Sequence, residues 1–573
     1  MSQGSPTSNI SFDIPAARQR ACLNCRRARS FVVVIFFFLF FQRIGSGILQ
    51  KCDAERPSCG QCSRSNSFQD CEYAEDGPTR TQILEEQIAI LEACIEELEK
   101  PKDLRSSLVL QDPYPAEHRS ATMPSLSYSD ISLSGRSIPL SMPNTPSERV
   151  PLVEMETLVT RFLHHGSQFG FFLNAQNFCD AAMGRTGQPP AAVLLDVVYL
   201  WAIHLSGSDR YIAYEASYLS RALQTGVDAL SSTHYNAVLH TIQAEVLLAQ
   251  YFLQNTRFLE GKYHLSAAVS LVISSGLHRI RSADSYAVGG PLGPAFHVLT
   301  PPGDEIEESE RINAFWTVLT LNNCWTTADG SPSNISYMGA DARIDTPWPL
   351  DTNALHNQGQ SLPHLNMGTV TTFLAGVPDG STSLPALHAK AGILFEQASR
   401  LASQYRLTMG TEHAHQFFAF FNSMDNLIEK FKVTLPAMQS HPTREMLVVH
   451  SLVHVATVQL HNRFVVDIPS SRVLELSAAH SIVADLSIVD VNEFGYIDPI
   501  MGILWMATCQ VLVAELARLR RRRPLNTLVP SDEQSLIDAV ESVLAAMHVF
   551  APTCRLMDSQ LNAMRQTYQG ALN

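Results

Sequence analysis

The chain has 573 residues, a formal charge of −14, 45% hydrophobic residues and 17% charged ones. At about 100–200 residues per domain, this length calls for several domains, and the apolar share excludes a wholly disordered chain. Taken whole, the acidic balance argues against a nucleic-acid binder, because phosphate contacts need positive charge; yet a net charge averages over domains and hides local patches.

Residues 1–17 contain Ser and Pro and read as disordered. Residues 18–73 hold six of the eleven cysteines, Cys22, Cys25, Cys52, Cys59, Cys62 and Cys71. The other five (Cys94, Cys179, Cys324, Cys509, Cys554) are scattered and read as small buried hydrophobes. No cleavable signal is evident, so a reducing interior is expected, where clustered cysteines favour metal over disulfides. The six read Cys22-x2-Cys25-x26-Cys52-x6-Cys59-x2-Cys62-x8-Cys71, with one oversized gap. That gap contains FVVVIFFFLFFQRIGSGILQ, residues 31–50. Removing it leaves spacings of x2, x6, x6, x2 and x8. A redox CxxC pair or a different zinc knuckle is the competing reading, and no βαβ pattern surrounds either CxxC to support the redox version.

Residues 17–64 carry nine basic residues against Asp53 and Glu55, a local charge of +7. Residues 65–100 carry ten acids against Arg80 and Lys100, or −8. The basic patch is therefore confined to the cysteine segment, as phosphate neutralisation requires.

On these residues the segment resembles the Zn(2)-Cys(6) binuclear zinc cluster of fungal transcription factors. The resemblance rests on the six cysteines, Arg26-Arg27-Ala28-Arg29, Lys51-Cys52-Asp53, Arg56-Pro57 and Arg64. Zinc takes four tetrahedral ligands, so two ions on six thiolates need two bridging sulfurs. The resemblance implies that Cys22 and Cys59 are those bridges. A segment this small builds no hydrophobic core, so metal would supply its folding energy. The resemblance also implies a short helix in the major groove reading a CGG triplet, whose guanines offer O6 and N7 acceptors. Arg29 stands where the family places its base-contacting residue. Arg26, Arg27 and Lys51 would add base or phosphate contacts, with Arg18, Arg20 and Arg64 in the same basic patch. A nuclear-import signal is the plainer reading of these arginines, and the two roles can coexist.

The insertion at 31–50 is anomalous. Its eleven consecutive apolar residues, Phe31 to Phe41, fall short of the roughly 20 that span a bilayer, so no membrane is expected as a partner. A Phe/Val/Ile run left in water is an aggregation hazard. The segment drops into an otherwise complete motif, its removal restores the x6 spacing, and U-rich noncoding sequence encodes such a composition. It reads as translated intron.

Residues 79–100 predict a coiled-coil dimerisation helix. Leu84, Ile88, Leu91, Ile95 and Leu98 are spaced 4, 3, 4, 3, with Ile at a and Leu at d, the choice that favours parallel dimers. Thr79 and Gln82 offer a capping box. A helix docked on its own chain is the alternative. Residues 101–150, rich in Ser and Pro, read as a disordered linker.

From 151 to 573 apolar residues recur at helical spacing, as in AEVLLAQYFLQ (244–254) and EGKYHLSAAVSLVISSGL (260–277). Alternating strand-like runs are almost absent, so the fold class is mostly α, with a large all-α regulatory domain behind the small cysteine cluster. Gly/Pro/Ser-rich loops are expected at 281–304 and 357–385. Several stretches resemble the fungal-specific transcription factor domain: RFLHHGSQFGFFLNAQNF (161–178), AEVLLAQYFLQ, GKYHLSAAVSLVISSGLHR (261–279), ESERINAFWTVLTLNNCWTTADGSPSNIS (308–336) and IDTPWP (344–349). Gly330-Ser331-Pro332 stands where the family has Gly-Arg-Pro.

His164, His165, His278, His413 and His415 could serve as ligands or bases. His450 and His454 stand at i, i+4, a spacing that can hold zinc, but Ser451 replaces the glutamate of a His-Glu-x-x-His motif. No Gly-rich phosphate loop and no Gly-x-Ser-x-Gly is present, so no enzyme is expected. Arg518 and Arg520–Arg523 suit a helix C-terminus or a second import signal. The sequence thus points to a nuclear DNA-binding regulator of RNA polymerase II genes. It would hold two Zn2+, bind double-stranded DNA as a homodimer, and meet transcriptional machinery or co-regulators and a small-molecule effector. The alternative is a dimerising interaction protein whose DNA binding the insertion impairs.

Overall fold

The computed structural model describes residues 152–572 together with Ala89, apart from 187, 284–288, 291–292, 295–298, 338–342, 351–365, 407–409 and 523–530. The chain divides into two units, Met1–Ile138 and Pro139–Asn573, and the second is the one described below. The six cluster cysteines, the basic patch, the insertion and the dimerisation residues lie outside the described residues.

Fifteen α-helices make up the described unit. They are α1 (Leu152–His165), α2 (Ala175–Ala182), α3 (Ala192–His204), α4 (Asp209–Val227), α5 (Ala237–Gln254), α6 (Phe258–Ser274), α7 (Glu305–Asp329), α8 (Thr369–Leu374), α9 (Leu384–Gln404), α10 (Thr411–Thr434), α11 (Arg444–His461), α12 (Pro469–Ile488), α13 (Met501–Arg522), α14 (Ser531–Phe550) and α15 (Arg555–Leu572). Among the described residues the only strands are Gly289–Gly290 (β1) and Gly293–Pro294 (β2), an antiparallel ladder pairing Gly289 with Pro294 and Gly290 with Gly293. The all-α expectation for this region is met.

Local chemistry sets the helix ends. The Asp304 carboxylate accepts the Glu307 N–H at 2.8 Å at the start of α7, with Glu305, Glu307 and Glu308 in the first turn facing the positive end of the helix dipole. Gly330, with φ 72°, closes α7 in the left-handed conformation. Ser383 caps α9 and Thr443 caps α11 through the Met446 N–H. The helix α8 is a correction, because it lies inside the expected loop at 357–385. Its Thr369-Val370-Thr371-Thr372 run has weak helix propensity, and burial of Thr369, Val370 and Phe373 decides instead.

Helix α5 is the centre of its half of the unit. All its residues except Val238 and Glu245 are buried, and it packs against α3, α6, α7 and α15. It meets α6 across a three-residue connection, the signature of an antiparallel hairpin. Gly261 permits that closeness, since a Cβ there would come within 2.6 Å of Leu253 Cγ. Helix α11 is the corresponding centre for α9, α10, α12 and α13. Helix α13 has the length and apolar composition of a membrane span, yet Met501, Trp505, Cys509, Leu512 and Leu516 are fully buried against its neighbours. It is a core helix.

Polar residues inside this core are paired across helices. Asp196 of α3 is buried, ion-paired with Arg221 of α4 and hydrogen-bonded by Thr225 Oγ1 at 3.2 Å. Glu215 of α4 accepts Tyr251 OH at 2.6 Å and lies 2.7 Å from His204 Nδ1, tying α3, α4 and α5 together. Burial pushes the Glu215 carboxyl up, but these two hydrogen bonds together with the nearby charges of His204 and Arg555 outweigh it and hold it below its ordinary value.

Candidate functional site

Four of the five resembling stretches between 161 and 349 contribute to one cavity of about 340 Å³, and the stretch 261–279 does not. Its walls come from α5 (Val246, Gln250), α7 (Asn313, Thr317, Thr320, Cys324), the start of α9 (His388), the first turn of α11 (Glu445), and the entry to α13 (Asp498, Ile500). The turn 170–173 closes one side. Gln243 pins that turn to α5: its Oε1 accepts the Phe172 N–H at 2.7 Å, and its Nε2 donates to Gly170 O at 3.0 Å. Gly170 itself has φ 78°, and a Cβ there would meet Val246 Cγ1 at 2.8 Å, so no larger residue fits.

The segment IDTPWP straps α7 on the other side. Trp316 Nε1 donates to Pro347 O at 2.7 Å, and the Trp316 ring stacks on Trp348 at 4.3 Å between centroids. Asp345 is buried, accepting Ser282 Oγ and the Gly368 N–H. Lys390 of α9 is buried over the Trp348 ring and bonded to Asp379 at 2.7 Å. The strap contributes Pro349 to the cavity wall, and Leu350 follows it there. Arg311, just before Phe315-Trp316, bonds Glu307 and the Thr300 carbonyl at 2.7 Å, a structural role.

Four polar atoms on cavity-lining residues are buried without a hydrogen bond in the protein: Gln250 Oε1, Asn313 Oδ1, Trp325 Nε1 and His388 Nε2. Buried polar groups are paired in the great majority of cases, so four around one cavity is a concentration that asks for a cause. Burial lowers His388 to about 4, which leaves it a neutral imidazole at pH 7. Burial raises the Asp498 carboxyl to about 7, against hydrogen bonds from the Ile500 N–H and the Gln250 amide. Asp498 retains some accessible surface, and that surface is cavity wall. Glu445 sits where the cavity nears the exterior, its Oε1 accepting from Ser167 Oγ, Gln168 Nε2 and Arg444 Nε. No lysine or arginine lines the cavity.

The raised Asp498 carboxyl has a stability consequence. The native state keeps this proton up to about pH 7, whereas the unfolded chain releases it near its ordinary value of 3.8. Between those limits the native state binds more protons, so this group makes stability fall as pH rises. Asp498→Asn keeps an acceptor for the Ile500 N–H and removes the titration. Glu445, His388, Cys324 and Cys554, the titratable neighbours, stay in both proteins. Urea midpoints from pH 4 to 8 are expected to show the variant gaining on the parent up to about pH 7 and level thereafter. Parallel curves would contradict the assignment.

The histidines take separate places. His165 accepts from Arg444 Nη1 at 2.7 Å and is lowered to about 4 by burial and by that arginine. The His164 carbonyl accepts from Arg444 Nη2. His278 is lowered to about 4 by burial, and its carbonyl accepts the Asp345 N–H. His413 and His415 are exposed on α10. His450 and His454 do share a face of α11 with Asp485 of α12, a set that could hold a metal: His450 Nδ1 lies 3.5 Å and His454 Nε2 4.0 Å from Asp485 Oδ2. Burial and the Lys432 ammonium depress His454 to about 3. That nearby cation opposes a second one, so the cavity is the stronger site. Arg518 pairs with Glu515, and Arg520 bonds Glu533 at 2.7 Å and the Ala571 carbonyl, both at the C-terminal end of α13. Cys324 and Cys509 are buried, Cys179 and Cys554 partly so, and all four are free thiols.

The sequence reading missed Gln250, Asn313, His388 and Asp498. A signal existed for the first two, since each interrupts an apolar helical run with an amide on a core-facing position. Compared with known proteins, the chain matches no family model, no curated protein and no solved structure.

Proposed function

We propose that the protein is a sequence-specific DNA-binding regulator of RNA polymerase II transcription acting in the nucleus. Two zinc ions on Cys22, Cys25, Cys52, Cys59, Cys62 and Cys71 would fold the DNA-reading segment, and the helix at 79–100 would pair two chains on CGG-type half-sites. The observation that carries this reading is the coincidence of the six-cysteine spacing with a local charge of +7 in a chain of −14. Six thiolates suit two tetrahedral zincs that share two sulfurs. The cavity of the helical unit supports a regulatory role, with an effector or co-regulator altering output.

A second reading follows from residues 31–50, which interrupt the segment between Arg29 and Lys51. In that reading the protein still dimerises and regulates through partners, with DNA recognition impaired. Zinc analysis of the full chain combined with selection from random duplexes separates the two. Two zincs per chain with CGG enrichment is the expected result. Zinc without sequence preference supports the second reading, and a chain without zinc overturns both the cluster and its consequences.

A further inference from the structure

The cavity wall has a chemical bias. Of its four unpaired polar atoms, the amide oxygens Gln250 Oε1 and Asn313 Oδ1 only accept hydrogen bonds, Trp325 Nε1 only donates and His388 Nε2 can do either, and the Asp498 and Glu445 carboxyl groups add acceptors. The Gln250 amide hydrogen-bonds the Asp498 carboxyl, and its Oε1 is the amide atom left without a partner. With no cation in the wall, and with Arg444 already paired to Glu445, an anionic ligand would find no opposite charge beside the Asp498 carboxyl. A purely apolar ligand would leave the amide oxygens unpaired. The remaining surface is aromatic and aliphatic, with Phe171, Phe172, Trp316 and Trp325 prominent, surfaces suited to a ring and to a cation over its face. A volume of about 340 Å³ suits a single compact molecule.

We propose that this cavity binds a compact organic amine, its ammonium group paired with Asp498 and its apolar body among the aromatic residues. An ammonium carries three donors and no acceptor, which matches the Asp498 carboxyl and the two unpaired amide oxygens, while the Trp325 indole N–H is left to face the ring of the ligand or water. Glu445 and the exposed Ser167 mark the entry side. As a regulatory input this rests on the proposed function; as a binding site it stands without it, and the test needs no DNA.

The full chain is titrated with phenethylamine and tryptamine, and in parallel with phenylacetate, following thermal midpoint and tryptophan fluorescence. A ligand that binds the native state raises the midpoint in proportion to ln(1 + [L]/Kd). The expected result is saturable stabilisation by at least one amine and none by phenylacetate. Asp498→Asn is expected to weaken amine binding at least tenfold, and Asn313→Leu, on another helix, to weaken it as well, so that the conclusion does not depend on one variant folding. The proposal falls if neither amine moves the midpoint at millimolar concentration. It falls equally if phenylacetate stabilises as well as the amines, or if both folded variants bind as the parent does.

Discussion

Replacing Cys59 by alanine is expected to abolish sequence-specific DNA binding while leaving the helical unit folded. The resemblance makes Cys59 a thiolate shared by both zincs, so one substitution removes a ligand from each tetrahedral site. Metal binding is folding energy for a segment too small to bury a core. Both zincs and the arrangement of Arg26, Arg27, Arg29 and Lys51 are therefore expected to be lost together. What remains is a chain segment of charge +7, which still attracts phosphate without regard to sequence. Specific binding exceeds non-specific binding by about 10³–10⁷ in such interfaces, so the gel-shift affinity for a selected site is expected to fall by about 10³ or more, to the level of random duplex. Far-ultraviolet circular dichroism should barely change, because the fifteen helices between 152 and 572 do not include this segment. Undiminished site-specific affinity in the Cys59→Ala protein would remove the zinc-cluster reading.

Different parts of this molecule were legible to different degrees, for physical reasons. Helices α5 and α7 could be read from long apolar runs, which are buried on nearly all sides in α5 and over 318–326 in α7, and α6 from apolar residues that recur on its buried face. The ends of α7 could be read too, from Asp304 and Gly330, whose capping chemistry is local. Helix α8 could not, since tertiary burial overrides the weak propensity of its threonines. The cavity was the least legible feature. Asp498 and Gln250 meet across 248 positions of sequence, and although Gln250 lies in the resembling stretch 244–254, nothing in that stretch points to Asp498. The i, i+4 pair His450 and His454 lies at the opposite pole: its spacing is obvious in the sequence, while Asp485 and the opposing charge of Lys432 emerge only from packing. The strap IDTPWP lies between the two. Its resemblance was visible, and its work, holding Trp316 and lining the cavity, was not.

Deleting residues 31–50 is expected to raise specific DNA affinity by at least tenfold and to increase the soluble fraction of the protein. Two effects contribute, and their sizes differ. The deletion shortens the gap between Cys25 and Cys52 from 26 residues to six. Each doubling of a flexible loop costs only about 0.6 kcal/mol, so two doublings account for about 1 kcal/mol of zinc-site stability. That alone is under tenfold. The larger share is expected from recognition: Arg29 and Lys51 return to one short stretch, where both can address the same groove. The deletion also removes the eleven-residue apolar run that, left in water, seeds association. Zinc stoichiometry should therefore change little while the gel-shift titration shifts strongly, and this split identifies recognition rather than metal loss as the defect. Equal affinity with and without the segment would show that the insertion leaves recognition intact. Reading the transcript across codons 30–51 settles its origin independently: mature messages that uniformly carry the segment would rule out an intron, and the second functional reading would then stand or fall on the titration alone.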